Sequence, residues 1–151
     1  MNNPTHSLQI VRQLKHERTR VFSALSDPVK MSQWFFGIKG GSSKVANDFR
    51  PGGAYTIEMT GGGPCTPRGT YLEIVPPERL VFTWQSCQDG SQSTVTIELF
   101  EHDAGTKLVL THELPEDQIP GHREGWTVCL DHLELFLAGK PVASLATAAT
   151  Q

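Results

Sequence analysis

The sequence has no long hydrophobic run and few cysteines. No stretch approaches the ~18 consecutive apolar residues of a membrane-spanning helix, so we expect no membrane span. Cys65, Cys87 and Cys129 are far apart and odd in number, unlike a disulfide framework or a zinc site built from cysteine pairs. The first residues have neither a charged start nor an apolar segment, so no signal peptide is expected. These absences predict a soluble, cytoplasmic protein with reduced thiols.

An excess of basic charge is also missing. The chain has 13 Lys and Arg against 16 Asp and Glu, for a formal net charge of −3. Binding to a phosphate backbone needs a positive field, so nucleic acid is not an expected partner. The length of 151 residues and the hydrophobic fraction of 38% fit one domain with a substantial core. We predict a single domain over residues 7–139, with flexible tails at 1–6 and 140–151.

Motifs for common catalytic chemistry are absent as well. Gly61-Gly62-Gly63-Pro64 lacks the terminal Lys-Ser/Thr and the strand-to-helix setting of a phosphate loop, so a hairpin turn is favoured. The sequence has no Gly-x-Ser-x-Gly elbow. None of the six histidines has another histidine four residues away, the helical spacing that would fix a zinc site. We expect no metal and no cofactor, and whether the protein is an enzyme stays open.

Hydrophobic periodicity divides the chain into strands and helices. Period-two alternation predicts a first strand at 7–15, and helical spacing follows at about 17–25. Asp27 suits the N-cap and Pro28 the first position of a second short helix, which is predicted to end at the aromatic cluster 34–37. Alternating runs separated by turns then predict six strands, near residues 44–49, 54–60, 68–75, 79–86, 92–101 and 106–113.

A long amphipathic helix is predicted at about 119–138. Its apolar stripe consists of Trp126, Cys129, Leu130, Leu133, Phe136 and Leu137. Asp131, His132 and Glu134 are predicted for the other side, and Gly139 and Pro141 end the helix. A sheet with one wet face must cover its other face, and only this helix is long and apolar enough to do so. The fold class is therefore α+β, with a curved six- to seven-stranded antiparallel sheet wrapped around the C-terminal helix and two short helices after strand 1.

Three parts of the sequence resemble one known family. They are Arg50–Tyr55, the long segment Gly69–Trp84, and Thr111–Glu113 followed by Gly121–Trp126. Together they resemble the activator-of-heat-shock-protein-90-ATPase-like family of the START-like (SRPBCC) superfamily, over about residues 7–139. The resemblance implies the helix-grip fold and an apolar cavity under the long helix.

The resemblance implies several functions. The superfamily includes carriers of lipids and hormones, polyketide cyclases and aromatases, and ring-hydroxylating oxygenase domains. The eukaryotic chaperone activators pair such a domain with a separate N-terminal chaperone-binding domain. Here the first predicted strand begins within the first ten residues, so chaperone contact is not expected. The family name alone suggests a role in the stress response.

His112 and His122 are the first candidate site residues. By alternation His112 points the same way as Leu108 and Leu110, and His122 precedes Trp126 by four residues on the apolar stripe. A neutral imidazole in a cavity could hydrogen-bond a ligand, or act as an acid or base near neutral pH. The alternative is that each histidine is simply a core or rim residue with a backbone hydrogen bond.

Large apolar side chains complete the predicted ligand site. They are Trp34, Phe49, Tyr71, Trp84, Trp126 and Leu130. Most aromatic residues in a chain of this size belong to the core. Trp34 and Trp126 are expected to flank the mouth of a pocket, because one follows the short helices and the other lies near the start of the long helix.

The function predicted first is binding of an apolar or amphipathic small molecule between the sheet and the C-terminal helix. The alternative is a cyclase- or hydrolase-type enzyme that uses His112 or His122 with a nearby polar group. A third possibility is a chaperone-interacting module, which would need an exposed apolar patch of several hundred Å². Sheet edges or the helical segment could also support a homodimer.

Overall fold

A computed structural model describes residues 6–35, 42–60, 66–85, 90–140 and 142. Its strands are β1 (His6–Leu14), β2 (Ser42–Asn47), β3 (Ala54–Thr60), β4 (Arg68–Val75), β5 (Arg79–Gln85), β6 (Gln92–His102) and β7 (Gly105–Leu114). Its helices are α1 (Arg18–Ser26), α2 (Pro28–Met31) and α3 (Ile119–Leu137), with a 3₁₀ turn at Glu116–Gln118. The order of strands and helices agrees with the sequence prediction, and most boundaries agree within two residues.

The seven strands form one antiparallel sheet in the order β1-β7-β6-β5-β4-β3-β2. Strands β2 to β7 follow one another as a meander, and β1 pairs with the last of them. Inner-face residues such as Leu108 and Leu110 are fully buried, whereas Glu58 and Glu73 on the outer face are exposed. The prediction of a curved six- to seven-stranded sheet, with one covered face and one wet face, is confirmed.

The two short helices follow β1 as predicted. Asp27 accepts hydrogen bonds from the amides of Val29 and Lys30, and Pro28 takes the first turn of α2. This helix ends at Met31, earlier than the aromatic cluster that was predicted to end it. The chain then turns back, and the indole Nε1–H of Trp34 donates to the carbonyl oxygen of Ala24 at 2.9 Å. The turn after α2 is therefore fixed against α1.

The C-terminal helix α3 buries a wider arc than the predicted stripe. Trp126, Leu130 and Leu133 are buried as expected. The prediction that His132 lies on the polar side is wrong, because His132 is completely buried. The reason is that both the sheet and α1 pack against α3. A single apolar stripe predicts contact on one side of the helix only.

Some predictions concern residues that the structure does not describe. They are the hairpin at Gly61–Pro64, the thiols of Cys65 and Cys87, and most of the two tails. Within the described ranges, no helix is long and apolar enough to cross a membrane. The same ranges contain no group of three or more histidine, cysteine or acidic side chains arranged to hold a metal ion.

Candidate functional site

A row of opposed residues on the inner face of the sheet connects two of the predicted site residues. Tyr71 on β4 lies opposite Phe82, which lies opposite Val95. Val95 in turn lies opposite His112 on β7. Because neighbouring strands are about 4.8 Å apart, Tyr71 and His112 are separated by about 14 Å. Tyr71 and His112 therefore lie at opposite ends of this row.

At the β7 end, His112 is completely buried and both of its ring nitrogens have partners. The indole Nε1–H of Trp126 lies 3.0 Å from Nδ1, and the hydroxyl oxygen of Ser93 lies 2.7 Å from Nε2. An indole nitrogen can only donate, so Nδ1 of His112 must be the acceptor. The hydrogen of a neutral imidazole is then on Nε2 and is donated to Ser93.

Ser93 extends this arrangement to the backbone. Its hydroxyl donates to the carbonyl oxygen of Trp84 at 3.2 Å. The hydrogen bonds thus run in one direction from Trp126 through His112 and Ser93 to the backbone of β5. We call these three side chains and the Trp84 carbonyl the His112 network. Each buried polar atom of the imidazole is satisfied, as burial requires.

The network keeps His112 neutral. Burial, and secondly the nearby His122, lower the pKa of His112 from 6.5 to about 3. A proton could only be added at Nδ1, which would break the hydrogen bond from Trp126. The geometry therefore gives no support to the hypothesis that His112 acts as an acid or base near neutral pH, and it fits the alternative of a core histidine.

His122 lies beside this network at the start of α3. The centroids of the His112 and His122 rings are 5.0 Å apart, with an interplanar angle of 84°. Nδ1 of His122 lies 2.9 Å from the carbonyl oxygen of Gln118 and must donate to it, since a carbonyl oxygen only accepts. In the neutral ring the lone pair is then on Nε2. His122 is half-buried, so it is the more accessible histidine of the pair.

Trp34 and Trp126, which were predicted to flank the mouth of a pocket, are both buried. Phe35 lies between them, with its ring centroid 5.0 Å from Trp34 and 5.6 Å from Trp126. Trp84 stacks on the same phenyl ring at 6.1 Å. These aromatic side chains form packed core between the turn after α2 and the start of α3.

An apolar cavity lies at the other end of the row, beneath the short helices. It is lined by Leu25, Met31, Phe35, Tyr55, Ile57, Tyr71, Leu80, Phe82 and Ile97. Of the eight predicted ligand-binding residues, Tyr71 alone lines this cavity. Phe49 packs on the Tyr71 ring from outside, with centroids 5.0 Å apart. Phe35 lines the cavity and also touches the tryptophans, so it connects the two ends of the site.

This cavity is small, and none of its lining residues comes from α3. Its volume of about 20 Å³ is room for about one water molecule. The buried side chains of α3 itself include Trp126, Leu130 and Leu133. The cover of the cavity comes instead from Leu25 of α1, Met31 of α2 and Phe35.

Two tyrosine hydroxyls are the polar groups among the lining side chains. The hydroxyl of Tyr55 donates to the carbonyl oxygen of Thr83 at 2.5 Å. The Tyr71 oxygen lies 3.1 Å from Nδ2 of Asn47, which also donates to the carbonyl oxygen of Ser26 at 2.9 Å. Burial raises the pKa of both tyrosines, so both are uncharged at neutral pH.

The prediction from sequence omitted several residues that shape the site. Ser93 and Asn47 carry its hydrogen bonds, while Met31 and Ile57 line the cavity. Alternation does contain a signal for Ser93, because it shares the inner face with Val95 and Ile97. A polar residue on an otherwise apolar face indicates a buried partner.

This architecture defines the class of protein: an antiparallel sheet that wraps a C-terminal helix is the helix-grip fold of START-like proteins. A family model described as "Activator of Hsp90 ATPase homolog 1-like protein" matches residues 15–138. The chain belongs to this family. A search of curated proteins finds no significant match.

Solved bacterial structures agree with this assignment. Protein CV1439 from Chromobacterium violaceum is 29% identical, with a TM-score of 0.76, over 85% of this chain and 94% of that one. A protein from Rhizobium leguminosarum is 28% identical, with a TM-score of 0.75, over 91% of this chain and 97% of that one. CalU16 from Micromonospora echinospora is 26% identical, with a TM-score of 0.72, over 96% of this chain and 85% of that one.

Proposed function

We propose that this protein binds an apolar or amphipathic small molecule in the cavity beneath α1 and α2. The observation that carries the proposal is the lining of that cavity, which contains seven apolar side chains and two tyrosines and no charged residue. Small-molecule sites are typically concave and mostly apolar, with a few placed polar groups. Membership of a START-like family is consistent with such a site.

The volume of the cavity means that a ligand must open it. Ligand pockets usually measure about 300–1,000 Å³, whereas this cavity measures about 20 Å³. The strands below it are joined by ladders of hydrogen bonds, which run without interruption between β5 and β6 and with one register shift, between Tyr71 and Glu73, between β4 and β5. The cover depends on fewer bonds, because α2 is a single turn of four residues. We therefore assign the movement to α2 and the residues up to Phe35.

The first test is native mass spectrometry of the purified protein, followed by organic extraction and identification of any bound molecule. The place of binding is read by NMR from ¹³C-labelled methionine methyl groups, of which the chain has three. The Met31 signal is assigned as the one that disappears in Met31→Leu. Binding in the cavity must shift this signal, and a ligand that binds without shifting it contradicts the proposed site.

A pair of matched variants tests the same site by volume. Met31→Ala enlarges this cavity, whereas Leu133→Ala removes apolar volume under α3, away from the lining. Met31→Ala is expected to strengthen binding of bulky neutral ligands, and Leu133→Ala is not. If Leu133→Ala is the variant that strengthens binding, the ligand site lies under α3, as the sequence analysis predicted.

The other functions keep less support. A cyclase or hydrolase would have to rely on His122, since both nitrogens of His112 are in use. Five further points stay predictions. They are the chaperone-interacting module, the homodimer, the cytoplasmic location, the stress-response role and the single domain over 7–139.

A further inference from the structure

Among the side chains that line the cavity, Tyr71 has a hydroxyl hydrogen for which the described residues provide no acceptor. Nδ2 of Asn47 lies within hydrogen-bonding distance of both the Ser26 carbonyl oxygen and the Tyr71 hydroxyl. The carbonyl oxygen only accepts, so the atom facing it is the amide nitrogen and not the amide oxygen. Asn47 is therefore the donor to Tyr71, and the hydroxyl oxygen of Tyr71 is the acceptor.

The hydroxyl of Tyr71 can therefore donate its own hydrogen to another group. The described residues provide no acceptor for it, although the side chain is 2% exposed. The other tyrosine of the lining differs, because its hydroxyl already donates to Thr83. A buried donor without an acceptor costs free energy, and a ligand oxygen would remove that cost.

We propose that the ligand is an uncharged molecule with a hydrogen-bond acceptor, such as a ketone, an ester or a quinone, and that Tyr71 donates to its oxygen. This inference rests on the proposed function, since it assumes that the cavity is the ligand site. A hydrogen-bond acceptor on the ligand follows from the hydroxyl hydrogen of Tyr71, which has no acceptor among the described residues. The absence of charge follows from the lining, in which no charged side chain could compensate a buried carboxylate or ammonium group. Raised pKa values keep both tyrosines protonated, as donation requires.

Three small probes separate these properties. Acetophenone offers a carbonyl oxygen, α-methylstyrene has the same shape with a methylene group in its place, and benzoate carries a negative charge. Each is titrated into the Met31→Ala variant, which provides extra volume, and dissociation constants are read from the methyl signals of Ile57 and Ile97. Acetophenone is expected to bind about three- to tenfold more tightly than α-methylstyrene, the range for one net hydrogen bond. Benzoate is expected to bind at least about 100-fold more weakly than acetophenone.

Two hydroxyl deletions provide the matched comparison. In the Met31→Ala background, Tyr71→Phe removes the free donor and is expected to abolish the preference for acetophenone. Tyr55→Phe removes a hydroxyl from the same lining that is already bonded to Thr83, so the preference is expected to persist.

The possible failures differ in what they overturn. If acetophenone and α-methylstyrene bind equally well to both Met31→Ala and its Tyr71→Phe derivative, the cavity is a ligand site but the acceptor inference is wrong. If the preference is lost in Tyr55→Phe instead, the donor has been assigned to the wrong tyrosine. If neither neutral probe shifts the lining signals of any variant, the proposed function itself fails, and this inference fails with it.

Discussion

The substitution His112→Gln tests the claim that the His112 network holds a neutral imidazole in the core. A glutamine side chain can also accept from the Trp126 indole and donate to Ser93, but it does not titrate. The variant therefore removes the proton-binding site while it keeps the chemistry of both hydrogen bonds. Any difference in pH dependence between the two proteins then reports the titration of His112.

The sign and size of the effect follow from the pKa of His112, which burial lowers from 6.5 to about 3. As the pH falls below 6.5, the unfolded chain takes up a proton at this residue, while the folded protein takes up none until about pH 3. The free energy of unfolding must therefore decrease as the pH falls through this window, and it is unaffected well above it. With about 1.36 kcal/mol per pKa unit, the wild type loses about 2 kcal/mol between pH 7 and pH 5 through this group.

The assay is urea unfolding at several pH values from 7 to 5, followed by far-ultraviolet circular dichroism. Other titrating groups contribute similarly to both proteins, so the difference between wild type and His112→Gln isolates His112. We expect the variant to lose about 2 kcal/mol less than the wild type over this range. His122→Gln serves as the control and should retain most of the wild-type dependence, because burial is the larger cause of the lowered pKa. Equal pH dependence in wild type and His112→Gln would refute the reasoning.

Four backbone and capping predictions are tested by urea unfolding at pH 7. Ala104 occupies the β6–β7 turn with φ of +62°, so Ala104→Gly should stabilise the protein by about 0.5–1 kcal/mol, and destabilisation would contradict this. A Cβ added at Gly69 would lie 2.0 Å from the Thr83 carbonyl oxygen, so Gly69→Ala should cost about 1–3 kcal/mol. A Cβ at Gly125 in α3 meets nothing within 4 Å, and Gly125→Ala should instead stabilise by about 0.5–1 kcal/mol. Asp27→Ala should cost about 1 kcal/mol through loss of the α2 cap, and Asp27→Asn should restore most of it.

The strands and helices could be predicted from sequence because each depends on local rules. Alternation placed His112 on the inner face, and the structure buries it beside Leu110. Asp27 and Pro28 predicted the start of α2 from capping chemistry alone. The burial of His132 could not be predicted in this way, because it depends on the packing of α1 against α3, two helices that are almost a hundred residues apart in sequence.

The hydrogen-bond partners of His112 also could not be predicted from the sequence. Its inward direction follows from period two, but its roles as acceptor and donor depend on Trp126 and Ser93, which reach it from α3 and β6. Those partners decide whether the imidazole is a free catalytic group or a neutral part of the core. Alternation predicted the inward direction of His112, and both interpretations stayed open because no local pattern contains the residues of the second element.

The position of the cavity depends on volume, which periodicity does not measure. A helix-grip fold has space between the sheet and the helix, and large side chains decide which part of that space is filled. Here Trp84 and Trp126 lie 5.2 Å apart by ring centroid and meet Phe35 at the start of α3, which fills that end. At the other end, the shorter residues Leu25 and Met31 face Tyr71 and leave a gap. Three of the aromatic residues that the sequence suggested as ligand contacts, Trp34, Trp84 and Trp126, thus pack on Phe35 at this filled end. The cavity that we propose as the ligand site lies where α2, a helix of four residues, provides part of the cover.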